Sequence, residues 1–294
     1  MKQTPIKIIV TGANGQLGSE LKKWENNKAF KMIFTDLPEL DLTDKLLVNN
    51  FIESVKPDFL INCAAYTAVD RAETDKETAK KINVTAVDYI AAACEKNNVI
   101  LFHISTDFVF PGNTAIPLKE DDKTDPVNFY GFSKLEGEYR ALKNSYKSLI
   151  IRTSWLYSQY GQNFLKSILR KADEKGEIKV VFDQAGTPTY AYDLADAIIE
   201  LIVKIHSGSY DIEKFRGIYH YSNEGIASWY DFALSIFRFI KSDKILIPIL
   251  TYNYPAPARR PAYSVLDKSK IKKNFGLIIP HWQDSLEKCI TGMK

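Results

Sequence analysis

Thr11-Gly12-Ala13-Asn14-Gly15-Gln16-Leu17-Gly18 follows the apolar run Ile6–Val10 and opens the amphipathic run Gln16–Trp24. Buried strand, glycine turn and helix, in that order, begin a dinucleotide-binding unit. The spacing is GxxGxxG, one residue wider in its first gap than the common GxGxxG. The physics is the same. Residues without a Cβ let the backbone approach a pyrophosphate, and the helix N-terminus offers free N–H groups and a favourable dipole.

Outward from this loop the first half of the chain alternates. Met32–Thr35, Phe59–Asn62, Ile100–Ile104 and Leu149–Arg152 read as further buried strands. Asp44–Val55, Lys76–Glu95 and Ser133–Lys143 read as the helices between them. That order predicts right-handed βαβ crossovers and a Rossmann-type doubly wound parallel sheet, an α/β fold. The second half is less regular. It predicts helices over Gly161–Lys171, Tyr192–Ile205, Ser228–Phe239 and His281–Cys289, and strands over Ile178–Phe182 and Tyr219–Ser222. Trp229, Phe232, Ile236 and Phe239 form a stripe at helical spacing, read as core. No flexible linker separates the halves. We expect residues 1–155 to bind the dinucleotide, with the helix at about 190–206 packing back on the sheet. A smaller C-terminal lobe, 156–189 and 207–294, would take the substrate.

The chain has 294 residues, 45% hydrophobic and 26% charged, an ordinary globular mix. Its 39 basic and 36 acidic residues leave a net charge of +3, too small to argue for nucleic acid or a membrane surface. No apolar run approaches the roughly 18 residues that a membrane helix needs. The start MKQTPIKIIVTGANG is not a signal peptide, so a cytoplasmic location is expected. Cys63, Cys94 and Cys289 offer neither a disulfide framework nor a CxxC pair and read as reduced thiols. His103, inside an apolar strand with no second ligand near it, reads as a core histidine.

Asp36 stands at the end of the second strand, about 20 residues past the loop, where a carboxylate accepts hydrogen bonds from the adenosine ribose. It would repel a 2′-phosphate, and no Arg or Lys lies between Met32 and Asp44 to offset it. NADH should therefore be accepted. The segment Asp41-Leu42-Thr43-Asp44 reads either as a flank to the adenine or as a helix N-cap.

Tyr130 and Lys134 are four apart, hence on one face of a helix. That pair suits carbonyl reduction. A phenol protonates the nascent alkoxide, and a nearby ammonium draws its pKa down from about 10. Ser105-Thr106-Asp107 closes the strand Ile100–Ile104, at the sheet edge where ligands sit, so Thr106 can bond a substrate carbonyl and the tyrosine. Trp155 follows the strand Leu149–Arg152 and can stack on a sugar. Arg259 and Arg260, in a proline-stiffened segment, can grip a diphosphate.

These residues resemble the extended short-chain dehydrogenase/reductases that act on nucleotide sugars, and within them the dTDP-4-dehydrorhamnose reductase family. The resemblance rests on Gly12–Gly18, Asn62–Asp70 (NCAAYTAVD), Ser105–Phe110 (STDFVF), Arg152–Tyr157 (RTSWLY), Asp183–Thr189 (DQAGTPT) and Arg260–Ser264 (RPAYS), spread in order over almost the whole chain. It implies NADPH- or NADH-dependent reduction of the C4 ketone of dTDP-4-dehydro-6-deoxy-L-mannose to dTDP-L-rhamnose. Gly15, Gln16 and Leu17 would face the pyrophosphate, with Gly12 and Asn14 beside them. Ala64, Ala65, Tyr66 and Thr67 would line the cofactor next to the sugar. Thr106, Tyr130 and Lys134 would form the catalytic set, with Asp107 and Trp155 on the substrate. Two departures stand out: Phe108 where the family usually has tyrosine, and Pro111 where an acidic residue is common. The resemblance alone implies Mg2+ and a homodimer; the residues themselves show no ligand set. Two other readings share the same residues: a nucleotide-sugar epimerase or dehydratase of the same superfamily, and a non-catalytic subunit that senses nucleotide.

The reading of Asp36 yields a prediction. NADH supports turnover at least comparably with NADPH, and Asp36→Ala raises the relative use of NADPH. The ratio of kcat/KM for the two cofactors measures this; an unchanged ratio in the variant would remove Asp36 from the ribose site.

Overall fold

The structure is a computed structural model describing residues 4–174 and 176–293. Strand β1 (Ile6–Thr11) leads into helix α1 (Gln16–Leu21), followed by β2 (Phe30–Thr35), α2 (Lys45–Val55), β3 (Phe59–Asn62) and α3 (Ala86–Lys96). Next come β4 (Ile100–Thr106), α4 (Phe129–Asn144) and β5 (Ser148–Thr153). The later part adds α5 (Phe164–Asp173), β6 (Ile178–Val181), α6 (Ala191–His206) and β7 (Gly217–His220). It ends with α7 (Trp229–Ile240), β8 (Leu246–Ile249), α8 (Ser269–Phe275) and α9 (Trp282–Thr291).

Six parallel strands form the main sheet in the order β7-β5-β4-β3-β1-β2. The apolar strands are long enough to be covered on both faces, and they are. On one face Ile8, Val10, Phe102 and Leu149 pack with Leu17 of α1 and Leu194, Ile198 and Ile202 of α6. On the other, Ile9, Leu60 and Leu101 pack with Val48 and Ile52 of α2 and Val87, Ile90 and Cys94 of α3. Burial of these aliphatic chains, at about 25 cal/mol per Å2, is the main force holding the layers. A separate core joins Leu165, Ile168, Val180, Phe232, Ile236, Trp282 and Leu286 in the second lobe. There β6 pairs in parallel with β8, a strand the sequence pattern does not reveal.

Three boundaries differ from the sequence reading in ways that matter. The run Lys76–Glu95 is broken by a π turn at Lys81–Thr85 before α3 begins. The sequence places the strand near 220 at Tyr219–Ser222; it lies at Gly217–His220, ending where the chain turns toward the second lobe. Helix α4 starts at Phe129, not Ser133, because the Asn128 side chain caps it, Oδ1 accepting from the Gly131 N–H at 2.8 Å. Tyr130 therefore lies in the first turn of α4. All three cysteines are free, and His103 is fully buried with Nδ1 3.1 Å from Asn62 Nδ2. Among the described residues no helix is long and apolar enough to cross a membrane.

Helix α4 lies unusually close to its neighbours. A Cβ on Gly131 would sit 2.1 Å from the Phe108 carbonyl oxygen, and one on Gly137 2.3 Å from that of Asn83. This sets two effects against each other in Gly137→Ala. Helix propensity favours alanine by about 1 kcal/mol, whereas forced repacking costs about 1–3 kcal/mol. The clash is with backbone, which yields little, so Gly137→Ala lowers the thermal midpoint. A midpoint above that of the parent would show that α4 is free to move.

Candidate active site

The strand order reverses between β1 and β3, and a doubly wound sheet opens a crevice there at its carboxyl edge. The two loops leaving these strands are bound to each other. Asn62 Oδ1 accepts from the Thr11 hydroxyl at 2.8 Å and from the Ala64 N–H at 3.2 Å. Gly12 has φ +66°, and a Cβ there would lie 2.6 Å from Ala64 N. The Gly12–Gly18 loop and the Ala64–Thr67 loop thus share one wall. Gly15 is the N-cap of α1 with extended backbone and no side-chain cap, which leaves the first-turn N–H groups for a ligand. This fits a pyrophosphate. Leu17 is 4% exposed and its side chain is core, so only its backbone can serve. The Gln16 amide reaches the second lobe instead, donating to Leu156 O at 3.3 Å and accepting from Asn163 Nδ2 at 2.9 Å.

At the ribose end, Asp36 accepts from the Asn14 N–H through Oδ2 and from the Leu37 N–H through Oδ1, both at 2.9 Å. Asp41 closes a turn on itself, taking the Thr43 N–H and hydroxyl at 2.8 and 2.6 Å, which holds its carboxyl below the usual range. Of the two sequence readings of this segment, the N-cap falls to Asp44, which caps α2. Leu42 packs against the core under α2 and α3.

Thr106, at the end of β4, is 6% exposed. Its hydroxyl donates to Asp107 Oδ1 at 3.0 Å and accepts from the Phe108 N–H at 3.2 Å. Burial pushes the Asp107 carboxyl up to about 7, and its Oδ2 has no partner. Lys134 is 1% exposed and donates to the Ile104 carbonyl at 2.6 Å. Burial lowers its ammonium to about 8, while Glu138 and Cys63 act to raise it. Tyr130 is half-buried, and burial pushes its phenol up to about 12; Thr106 lowers it and Asp107 raises it. The sequence expectation that Lys134 draws this phenol downward is not met. Desolvation dominates, and the ammonium is spent on a carbonyl. Phe108 packs edge-on against the Tyr130 ring, centroids 5.8 Å apart, so this departure from the family touches the catalytic tyrosine candidate directly.

Beside this cluster lies a cavity of about 220 Å3 lined by Phe108, Trp155, Phe164, Gln184, Trp229 and Arg260, among others. Trp155 has φ +45°, a strained conformation for a non-glycine residue, and stacks on Trp229 at 3.6 Å. Trp229, read from the sequence as core, packs against the second-lobe core and also lines this cavity. The two arginines do not form a paired grip. Arg260 is held bidentately by Asp70 at 2.9 and 2.8 Å, since a carboxylate within reach claims the guanidinium fork, and Arg259 is exposed.

Three residues escape sequence reasoning. Asn83, in the π turn, takes the Tyr66 N–H at 2.8 Å and donates to Ser133 Oγ at 2.9 Å, joining the cofactor-side loop to α4. Lys22 brings an ammonium within 3.4 Å of Asn14 Oδ1, a cation from the short helical turn ahead of β2 rather than from the Met32–Asp44 stretch. Glu138 lies one turn beyond Lys134; its signal was the next step of the same four-residue spacing. Among the described residues no three His, Cys, Asp or Glu side chains of the chain are grouped to hold a metal.

Residues 6–294 match the family model for the RmlD substrate binding domain. The chain is 42% identical over 288 residues to the dTDP-4-dehydrorhamnose reductase of Aggregatibacter actinomycetemcomitans, covering 96% of this chain and 97% of that protein. Its fold superposes on the crystal structure of a dTDP-4-dehydrorhamnose reductase from Clostridium acetobutylicum with a TM-score of 0.92, at 41% identity over 98% of this chain and 99% of the other. The enzyme of the same name from Bacillus anthracis, solved in complex with NADP, gives a TM-score of 0.92 at 36% identity, covering 98% and 99% of the two chains.

The loop geometry predicts the outcome of Gly15→Val. A Cβ at Gly15 meets only the Gly12 carbonyl oxygen, at 3.2 Å, and its φ is not left-handed, so the fold tolerates the change. The branched side chain fills the space before the free N–H groups. Calorimetry should show dinucleotide binding lost while the far-ultraviolet circular dichroism is unchanged; retained affinity would remove this loop from the site.

Proposed function

The chain belongs to the RmlD substrate binding domain family, and we propose that it is an NAD(P)H-dependent oxidoreductase reducing the C4 ketone of dTDP-4-dehydrorhamnose to give dTDP-L-rhamnose. The observation that carries this is the convergence of Thr106, Tyr130 and Lys134 between an uncapped glycine loop and an aromatic cavity. When bound, the dihydronicotinamide supplies a hydride to C4. The chain's own residues do the rest. Tyr130 gives its proton to the oxygen developing charge at C4. A phenol held near 12 is fully protonated at neutral pH, so the donor is loaded when substrate arrives. Thr106 fixes the carbonyl oxygen beside that phenol. Lys134, charged at neutral pH with its ammonium held near 8, offsets the negative charge that remains on the phenolate after transfer.

Residues 1–155 hold the dinucleotide and the lobe of 156–189 and 207–294 holds the nucleotide sugar. Trp155 flanks the hexulose from the cavity wall, and the exposed Arg259 meets the diphosphate. Asp36 and Lys22 act on the ribose in opposite senses, which supports use of both NADH and NADPH. A dehydratase needs a second acid next to Asp107, and that position is Phe108, packed on Tyr130. The substrates are soluble metabolites, which supports a cytoplasmic enzyme; a homodimer is the assembly that the resemblance suggests.

Oxidation of NADH and NADPH with dTDP-4-keto-6-deoxy-L-lyxo-hexulose tests the activity, and absence of turnover with both cofactors overturns it. Tyr130→Phe should lose roughly 10²–10⁴-fold in kcat with cofactor affinity little changed, because the ring still packs and only the proton is missing. Lys134→Ala should lose both rate and cofactor affinity, and Thr106→Val should cost less than either. A Tyr130→Phe enzyme of near-normal kcat, with chemistry limiting, refutes the mechanism.

A further inference from the structure

Glu138 is 1% exposed, yet it carries a carboxylate. It continues the face that holds Tyr130 and Lys134, one further turn along α4. Two residues hold it through three hydrogen bonds. Arg152 of β5 donates through Nε at 2.9 Å and Nη2 at 2.7 Å, and the Ser105 hydroxyl of β4 donates to the same Oε1. Arg152 is itself 2% exposed. Ser105 precedes Thr106, and Arg152 lies three residues before Trp155. One buried carboxylate therefore touches the ends of both strands that deliver site residues.

We propose that Glu138 is a positioning residue of this site: it locks the ends of β4 and β5 to the helix bearing Tyr130 and supplies the buried negative charge that keeps the Lys134 ammonium charged. The inference rests on the reductase reading above. A buried ammonium is costly unless a counter-charge is near. The groups that face Lys134 are few. On α4 Tyr130 and Glu138 lie one turn to either side of it, and from β4 comes His103. Cys63 comes from the loop after β3, and Arg152 stands behind Glu138 on β5. Burial keeps the His103 ring neutral and the Cys63 thiol protonated. The Tyr130 phenol is protonated and Arg152 is a cation. Burial raises the Asp107 carboxyl only to about 7, but the charge that holds the Lys134 ammonium up comes first from Glu138. Glu138 is thus the anion that the site keeps for Lys134. Arg152 in turn keeps that carboxylate ionised, so the two serve different ends of one chain of charges.

Two isolated changes separate charge from shape. Glu138→Gln keeps the shape and loses the charge; Glu138→Asp keeps the charge and shortens the reach. The measurement is the pH dependence of kcat with the keto sugar and saturating NADH, under conditions where chemistry limits. Activity that needs protonated Lys134 falls as pH rises through its pKa, and loss of an opposite charge lowers that pKa. The alkaline limb of Glu138→Gln should therefore move to lower pH by roughly one unit or more. Glu138→Asp should lose rate but leave the limb in place. If Glu138→Gln proves unstable because Arg152 loses its partner, Glu138→Gln/Arg152→Met removes both charges and should show an acid-ward shift of the limb that is smaller, because the Arg152 cation is lost with the carboxylate. Wild-type turnover with an unmoved limb in the glutamine variants, or equal shifts in the glutamine and aspartate variants, overturns the role of Glu138 and leaves the reductase reading intact. A wild type without turnover overturns that reading itself, and the inference with it.

Discussion

The site exists because α4 lies almost in backbone contact with its neighbours. Gly131 faces the Phe108 carbonyl and Gly137 faces the Asn83 carbonyl, each so near that a single methyl would collide. This approach brings the first turns of α4 against the end of β4, and with them Tyr130 and Lys134 against Thr106. It also sets the depth of the lysine, whose ammonium reaches the Ile104 carbonyl inside the sheet edge. The π turn at Lys81–Thr85 is part of the same contact. An extra residue in that turn puts Asn83 where it bonds both the Tyr66 loop and Ser133 of α4.

Once packed this tightly, the site has its charges ruled by burial. Lys134, Asp107 and His103 are buried and Tyr130 is half-buried, and every one of them shifts toward its neutral form. The consequence is unequal. A phenol shifted upward remains a loaded acid at neutral pH, whereas a lysine shifted downward comes close to losing its charge. The buried Glu138–Arg152 pair adds an ion pair where apolar packing would have been as stable. Its retention in a fully buried place is better explained by what stands beside it than by fold stability.

The second lobe contributes shape more than charge. Trp155 leaves β5 in a left-handed conformation and lies flat on Trp229, so the wall of the cavity is a pair of indoles fixed by a strained backbone and by stacking. The Arg260–Asp70 pair ties the proline-rich segment to the loop after β3. It links the second lobe to the main sheet, with the half-exposed setting that makes such pairs weak in stability but firm in direction. Gln16 and Asn163 join the lobes at the other side of the crevice.

Much of this molecule was legible from residue order. Apolar strands alternating with amphipathic helices force a doubly wound sheet, and a glycine loop at the first turn lets backbone approach closely, because both follow from local periodicity and from the absence of a Cβ. The four-residue spacing of Tyr130 and Lys134 needed only the pitch of a helix. What tertiary structure decided are the properties that depend on neighbours far along the chain. Asp70 claims the Arg260 fork that a spacing argument gave to a diphosphate, Trp229 lines a cavity as well as packing on the core, and the Tyr130 phenol rises where a spacing argument had it fall. Residue types and spacings determine which groups can meet; the desolvation each one suffers, and the partner that claims it first, are fixed only when distant segments close around it.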